Sequence, residues 1–453
     1  MSNLELDNVS KIEVTELSSV QFVKFFREVA PCVNAFRGKI FVVAFEGELI
    51  QAGALNSLIH DLSLLLSLGI RLVLVHGSRP QINEQLLLKG LSQQFYHGFS
   101  NPTDSAALEC AKEAAGEIRL DIEANFSQGL PNTPMSHSHI RVISGNFVTA
   151  RPAGILNGID FQHTGHVRKI DIEAINFIIE KDSSIVLLSP LGFSPTGDAF
   201  NLSMEELATF TAVSLCAEKL IFLSDSIEVH NSDGSVDTEL TRADAEILIK
   251  NKSLDQKTNS FLKYAALAVK KGVSRAHLLP YLLDGSVLLE IFTHDGIGTM
   301  IVEDTLDDLR AATIDDVGAI IKLIEPFERD GTLIRRPRSL IERDVENFTV
   351  LEHDGIIYAC AALYSFPKEK MAEMACLIVH PEWQNSGEGE LLLRHMESRM
   401  RSSGIKQLFV LTARTSHWFL KRGFVKGTIR NLPKDRQNHY NHLRNSLILI
   451  KKL

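Results

Sequence analysis

The stretch "IVHPEWQNSGEGELLL", residues 378–393, ends an apolar run at a proline, crosses a polar segment with two glycines, and resumes leucines at helical spacing. It predicts a strand, a turn and the start of a helix. The first N–H groups of a helix have no partner inside it, and the helix dipole places partial positive charge there. Glycines beside such a start leave those donors uncovered, which suits a phosphate. Glycine-rich turns are common, so the meaning of this one depends on its surroundings.

Working outward, the chain has 453 residues, too many for one ordinary core, and two or three domains are expected. Hydrophobic residues make up 45% and charged residues 23%, the balance of an ordinary soluble globular protein. A net charge of -9 argues against wholesale nucleic-acid binding. Cys32, Cys110, Cys216, Cys360 and Cys376 are scattered, odd in number and form no C-x-x-C pair. That usage fits a reducing cytosol, with neither a disulfide framework nor a metal site expected. The N-terminus "MSNLELDNVSKIEVTEL" lacks the basic region of a secretory signal, and no apolar run is long enough to span a membrane. A cytoplasmic protein is the expectation.

From about residue 38 to 302 strand-like runs alternate with helical ones. "KIFVVAFEG" and "IRLVLVHG" flank the amphipathic "LIHDLSLLLSLG"; "SSIVLLSPLG", "EKLIFLSD" and "SRAHLLP" follow, separated by helical patterns. Continuous β-branched runs followed by helices predict an α/β domain of three layers, a mostly parallel sheet covered on both faces. Ligands of such sheets lie outside the carboxyl ends of the strands. The acidic "EDTLDDL", residues 303–309, predicts a connector between a domain at 1–302 and another at 310–453. In the second, a strand and helix precede two strands joined at Asp354-Gly355, a hairpin signal. The remaining pattern predicts a smaller α+β domain with a mixed sheet.

The order strand, helix, hairpin, strand, "VHPEWQNSGEG", helix, strand, "FLKRGF" resembles the GCN5-related N-acetyltransferase fold, marked by V-x-P followed by [Q/R]-x-x-G-x-[G/A]. Val379-x-Pro381 and Gln384-x-x-Gly387-x-Gly389 match every keyed position. The resemblance implies acetyl-CoA as cosubstrate and no metal. Its pyrophosphate would be cradled by the segment from Gln384 through Gly387, Glu388 and Gly389 to Glu390, where glycine lets the backbone approach. The pantetheine arm would pair like an added strand with the backbone of Leu377, Ile378 and Val379.

Transfer to an amine needs a neutral nucleophile, a stabilised oxyanion and a proton for the leaving thiolate. Glu373, in the otherwise apolar "MAEMACLIV", is the candidate base. Strict alternation places it on the face of Ala375, Leu377 and Val379; a glutamate that simply faces solvent is the alternative. Many members of the fold carry a tyrosine acid before the final "GF". Phe419 stands there in this chain, which leaves Thr412 and Ser416 as hydroxyl candidates. Arginines cluster in "TLIRRPR" and in "RNLPKDRQNHYNHLRNSLILIKK". Arginine forks bind carboxylates bidentately, although a plain basic surface is the commoner fate of such clusters.

Residues of about 30–302 resemble the amino acid kinase family in "VHGSRPQI", "FNLSMEELATFTAVSLCAEKLIFLSD" and "LLEIFTHDGIGTMI". The family's first-strand K-x-G-G, which holds the transferring phosphates, is replaced by Ala44-Phe45-Glu46-Gly47. A carboxylate there repels phosphate, so a kinase-derived domain that no longer transfers phosphate is expected. A kinase-like domain without its lysine, fused to an acetyltransferase, resembles the bacterial N-acetylglutamate synthase family over nearly the whole chain. That resemblance implies L-glutamate as substrate, its carboxylates held by Arg335 and Arg444, with Ser446 and Arg436 assisting. It also implies L-arginine as feedback inhibitor at Lys219, His277 and Glu290, and a homohexamer joined through the aromatic N-terminal helix "VQFVKFFREVAPCVNAF". Lys219 capping a strand and His277 as a satisfied core residue are the alternatives. Two rival functions remain at this point: a bifunctional synthase and kinase, and a non-catalytic arginine sensor.

Overall fold

The computed structural model describes residues 23, 25–27, 29–91, 102–128, 140–181, 184–225, 229–230, 236–251, 254–293, 296–303, 307–384 and 387–452. The chain divides into two units, Met1–Asp304 and Thr305–Leu453.

In the first unit, eight strands form one sheet in the order Glu239–Thr241, Thr299–Val302, Arg275–Pro280, Lys219–Ser224, Ile40–Phe45, Arg71–His76, Ser184–Leu188, Arg141–Ile143. Neighbours are parallel except Arg275–Pro280 against Thr299–Val302. Alternation along Ile40–Phe45 sends Val42 and Ala44 into one core and Phe41, Val43 and Phe45 into the other. The helices Ile172–Ile179, Met204–Ser214 and Gln256–Lys270 cover the first core. Leu55–Ser67, Ser105–Gln128 and Ser286–Phe292 cover the second. Burial on both faces explains why these strands are apolar without interruption. Their carboxyl ends lead into Glu46, Gly77, Ser189, Asp225 and Tyr281. The N-terminal helix is described at 23, 25–27 and 29–36; the rest of that expected helix lies outside the described residues.

The second unit carries a seven-stranded sheet in the order Asp307–Ala311, Phe348–His353, Ile356–Phe366, Met371–Val379, Gln407–Thr412, Leu447–Lys452, Val425–Lys426. Helix Glu388–Ser402 packs on one face of it and helix Val317–Arg329 on the other. Asp354 and Gly355 have φ of 49° and 78°, the left-handed pair that a tight hairpin turn demands. Asp307 and Asp308, assigned by their charge to the connector, open the edge strand of this sheet. Residues 304–306 of that connector lie outside the described residues.

Candidate functional site

The strand Met371–Val379 organises the second unit's site. Against Ile356–Phe366 its register slips: Cys360 pairs with Ile378 but Ala362 with Ala375, so one extra residue is taken up in between. Cys376 absorbs it with a φ of 52°, a β-bulge. On its other edge the strand pairs in parallel with Gln407–Thr412 only over Met371–Glu373. Beyond Glu373 the ladder stops, and the backbone from Ala375 onward is an open edge that an extended chain can join.

The bulge also shifts the alternation. Leu377 and Val379 pack with Ala372 and Met374 under helix Glu388–Ser402. Ala375, Cys376 and Ile378 pack on the opposite core, and Glu373, between Met371 and Ala375, belongs to that side. Unbroken alternation had placed Glu373 with Leu377 and Val379. The bulge corrects this: Glu373 and the pair Leu377 and Val379 face opposite sides of the sheet.

On the cradle side, Gln384 Nε2 donates to Val379 O at 3.0 Å and closes the turn after the strand. Trp383 stacks on Tyr358 with centroids 4.3 Å apart. Gly387 caps the helix with a φ of 115°, a conformation that favours glycine, and a Cβ there would enter open space. A Cβ on Gly389 would stand 3.3 Å from Trp418, so this glycine lets helix and indole approach. Glu390 and Leu391 donate to Gly387 O, whereas the amides of Glu388 and Gly389 find no acceptor among the described residues. Asn385 and Ser386, the middle of the turn, lie outside those residues. Alongside the helix, a groove of about 420 Å³ is lined by Glu390, Leu393, Arg394, Glu397, Lys421, Arg422 and Lys451. Its cations outnumber its carboxylates, which suits phosphate. Thr412 follows Leu408 and Val410 by alternation onto this same side. Its buried hydroxyl lies 3.0 Å from Thr415 Oγ1. Ser416 starts the short helix Ser416–Leu420, in which Phe419 is core, packed edge-on against Trp418 and Phe424.

On the opposite side, Arg436 grips Glu373 with two parallel hydrogen bonds, Nε to Oε2 at 2.7 Å and Nη2 to Oε1 at 3.0 Å. Glu373 is 7% exposed. The purely apolar surroundings expected of it are therefore replaced by a guanidinium fork, which Arg436, expected to assist at the substrate, supplies. Tyr364 pairs directly across from Glu373. Burial and the neighbouring Cys376 push the Tyr364 phenol up to about 12, and the Arg336 guanidinium draws it back. Burial likewise lifts the Cys376 thiol to about 11, opposed again by Arg336. Of the tandem arginines, Arg336 is half-buried and Arg335 is exposed. Arg336 N donates to Glu328 Oε1 at 2.8 Å and its Nη1 to Ile334 O at 3.1 Å. Arg444 Nη2 donates to Thr332 O at 2.5 Å, and Arg414, which the sequence pattern did not single out, donates to Asp330 O at 2.9 Å. Both clasp the loop that carries Arg335 and Arg336. Ser446 O accepts from Tyr440 Oη at 2.7 Å.

In the first unit, the structure joins Lys219, His277 and Glu290 into one buried chain. Lys219 Nζ lies 3.1 Å from His277 Nε2, and His277 Nδ1 lies 2.7 Å from Glu290 Oε1. An ammonium can only donate, so Nε2 is the acceptor and Nδ1–H donates to Glu290. Burial, helped by the Lys219 charge, lowers the imidazole to about 4 and keeps it neutral. Burial alone would raise Glu290, but hydrogen bonds from His277 and the amides of Ile297 and Gly298 outweigh it and hold the carboxyl at about 2. Phe36, the last turn of the N-terminal helix, places its ring 5.0 Å from Lys219 Nζ. At the carboxyl ends of the central strands, Glu46 is buried and pairs with Lys257 at 2.8 Å while accepting from Ser224 Oγ. Lys257 also pairs with Asp225. Its charge is thus already neutralised where a phosphate would need it.

Residues 39–279 match the amino acid kinase family, and residues 344–426 match the GNAT acetyltransferase domain. The chain is 57% identical over 433 residues to the amino-acid acetyltransferase of Ralstonia nicotianae, with 96% of each chain covered. It resembles the crystal structure of N-acetylglutamate synthase from Neisseria gonorrhoeae complexed with coenzyme A and L-arginine, with a TM-score of 0.86 and 37% identity over 95% of this chain and 99% of that one. The same enzyme complexed with coenzyme A and N-acetyl-glutamate gives a TM-score of 0.60 and 38% identity over the same shares of each chain, 95% and 99%.

Proposed function

The chain belongs to the amino-acid acetyltransferase family, and from that premise we propose that it converts acetyl-CoA and L-glutamate into N-acetyl-L-glutamate and CoA. We further infer that this opens arginine biosynthesis in the cytoplasm, and that L-arginine acts as feedback inhibitor on the kinase-like unit of a homohexamer. The observation that carries the reading is the split strand, with a fixed carboxylate on one side and an amide-lined helix start on the other.

Acetyl-CoA, the cosubstrate, lies along the cradle side. The Glu388 and Gly389 amides meet its pyrophosphate, and the Arg394, Lys421 and Arg422 groove takes its remaining phosphate. The pantetheine arm joins the open edge at Leu377–Val379 and delivers the thioester to the gap beyond Glu373. Glutamate enters from the opposite side, its carboxylates drawn by Arg336, with Arg335, Arg444 and Ser446 on the surrounding segments. Glu373, oriented by Arg436, takes a proton from the substrate ammonium, directly or through one water. The free amine then attacks the carbonyl carbon, the C–S bond breaks, and the extra proton of the acylated nitrogen passes through the Thr412 hydroxyl on the cradle side to the departing thiolate, leaving a neutral amide, a thiol and an unchanged hydroxyl. The loss of the phosphate-holding lysine and the Glu46–Lys257 pair remove phosphoryl transfer from the first unit. Lys219, His277 and Glu290 are left to respond to an amino-acid effector.

Thiol release from acetyl-CoA, measured with each of the twenty amino acids with and without L-arginine, tests this reading. Glutamate should be the preferred acceptor and arginine should suppress the rate. Preference for another amino acid would overturn the substrate, and indifference to arginine would overturn the regulation.

A further inference from the structure

We propose that the Glu390 carboxylate competes with the phosphates of acetyl-CoA for the Arg422 guanidinium, and so limits how tightly the cosubstrate, and the CoA left after transfer, is held. The proposal deepens the acetyltransferase reading and rests on it for the identity of the anion.

The groove beside helix Glu388–Ser402 is lined by the cations Arg394, Lys421, Arg422 and Lys451, and their commitments differ. Lys451 Nζ donates to Glu397 Oε1 at 2.6 Å, and Glu397 is buried, so that charge is neutralised within the protein. Lys421 is exposed and forms no ion pair among the described residues. Arg394 Nη2 donates to Glu390 Oε1 at 2.8 Å from one helical turn further on. Arg422 is the contested cation. Its guanidinium stacks on Trp418, 3.9 Å from the ring centroid. Nη1 donates to Trp418 O and Nη2 to Glu390 Oε2, both at 3.2 Å, and Nε is buried without an acceptor among the described residues. Arginine offers five N–H donors, so two long hydrogen bonds leave most of this fork unspent.

Trp418 ties that fork to the cradle. A Cβ on Gly389 would stand 3.3 Å from the indole, so the ring that carries Arg422 also abuts the first turn of the helix. There the Glu388 and Gly389 amides find no acceptor among the described residues. Phosphates drawn to those amides meet the guanidinium that Glu390 holds, and arginine forks suit phosphate.

The helix dipole favours an acidic residue in a first turn, but Glu388 already supplies one, and its carboxylate has no donor among the described residues. Glu390 differs because each of its oxygens accepts from a guanidinium. Arg394 first, and Arg422 after it, hold the Glu390 carboxyl below its ordinary range, so it stays ionised. Such a carboxylate opposes incoming phosphates twice, by repulsion and by occupying their donor. Glu388 adds only the repulsion.

Calorimetric titration of the full-length protein with acetyl-CoA, CoA and 3′-dephospho-CoA tests the proposal, using Glu390→Gln, Glu388→Gln and Arg422→Met singly and with Arg422→Met paired to each of the others. Glu390→Gln should bind acetyl-CoA and CoA about two- to fivefold more tightly at low salt, the range over which an exposed ion pair moves an equilibrium. The gain should shrink at about 1 M salt, where exposed charges are screened. Most of it should vanish beside Arg422→Met, whereas any gain from Glu388→Gln should survive there. Arg422→Gln serves the same comparison if Arg422→Met does not fold. A gain that 3′-dephospho-CoA shares puts the pyrophosphate on Arg422, and one that it lacks puts the 3′-phosphate there; either supports the proposal. A Glu390→Gln protein that binds acetyl-CoA no more tightly than the wild type, or whose gain Arg422→Met leaves whole, overturns the proposal alone. A wild type that binds no acetyl-CoA overturns the acetyltransferase reading and the proposal with it.

Discussion

Replacing Arg436 with methionine keeps most of the side chain's apolar stem and removes the fork that holds Glu373. The carboxylate would lose both donors, at 2.7 and 3.0 Å, while its side chain remains 9% exposed. Stripping one partner from a buried pair costs about 3–5 kcal/mol. Arg436 keeps 23% of its own side-chain surface, which places the loss at the lower end, about 3 kcal/mol. For a domain of this size roughly 2–4 °C accompanies each kcal/mol, so scanning calorimetry of the full chain should show one transition falling by about 6–12 °C. A positioned base contributes about 10²–10⁴ in rate, so kcat should drop at least 10²-fold, with the KM for acetyl-CoA unchanged. Adding Glu373→Gln to Arg436→Met should recover most of the lost stability and none of the rate. The alternative is that Arg436 assists at the substrate, as the sequence resemblance implies. In that case Arg436→Met would raise the KM for glutamate and leave both kcat and the melting transition alone, and the positioning argument would be wrong.

Other expectations follow from single observations. Gly387→Val puts a branched Cβ into the open space above the cradle and strains a φ of 115°; acetyl-CoA affinity should fall tenfold or more by titration, with arginine binding to the other unit unaffected. Arg336→Ala should raise the KM for glutamate well above the effect of Arg335→Ala, since Arg336 is half-buried and its charge opposes the rise of the Tyr364 and Cys376 pKa values while Arg335 is exposed; equal effects in steady-state kinetics would return the role to both. Thr412→Val keeps the shape and removes the hydroxyl, so kcat should fall about tenfold or more with both KM values nearly constant. Asp61 is raised by burial and by Asp284 to about 7. The unfolded chain therefore ionises first as pH rises, and the folded state loses stability between about pH 4 and pH 7. Asp61→Asn should remove that loss, gaining up to about 4 kcal/mol above pH 7 and little below pH 4, as read from melts across that range.

The parts of this molecule that could be read before folding are those set by local pattern. Buried parallel strands need apolar residues on both faces, so Ile40–Phe45 and Arg71–His76 were legible as such, and V-x-P with Q-x-x-G-x-G marked the helix start. Asp354-Gly355 marked its hairpin because few residues tolerate two successive left-handed conformations. What stayed hidden depends on register. Nothing in "EMACLIV" distinguishes Cys376 as a bulge, since the residue that takes the positive φ is neither glycine nor asparagine. Yet that one inserted residue turns Glu373 away from Leu377 and Val379 and toward the arginine-bearing segments. Contacts far apart in sequence were equally invisible: Arg436 meets Glu373 across 63 positions, and Arg414 meets Asp330 across 84. The two tandem arginines are chemically identical in sequence, and only the loop's path leaves Arg336 half-buried and Arg335 exposed. The bulge is therefore more than a local irregularity. In the proposed mechanism the base works from one side of the sheet and the thiolate's proton donor from the other, and the bulge sets which side each residue past Glu373 meets. A phase shift just past Glu373 puts that carboxylate on the side opposite Leu377 and Val379 within a few residues of the open edge, which is the arrangement the proposed mechanism uses.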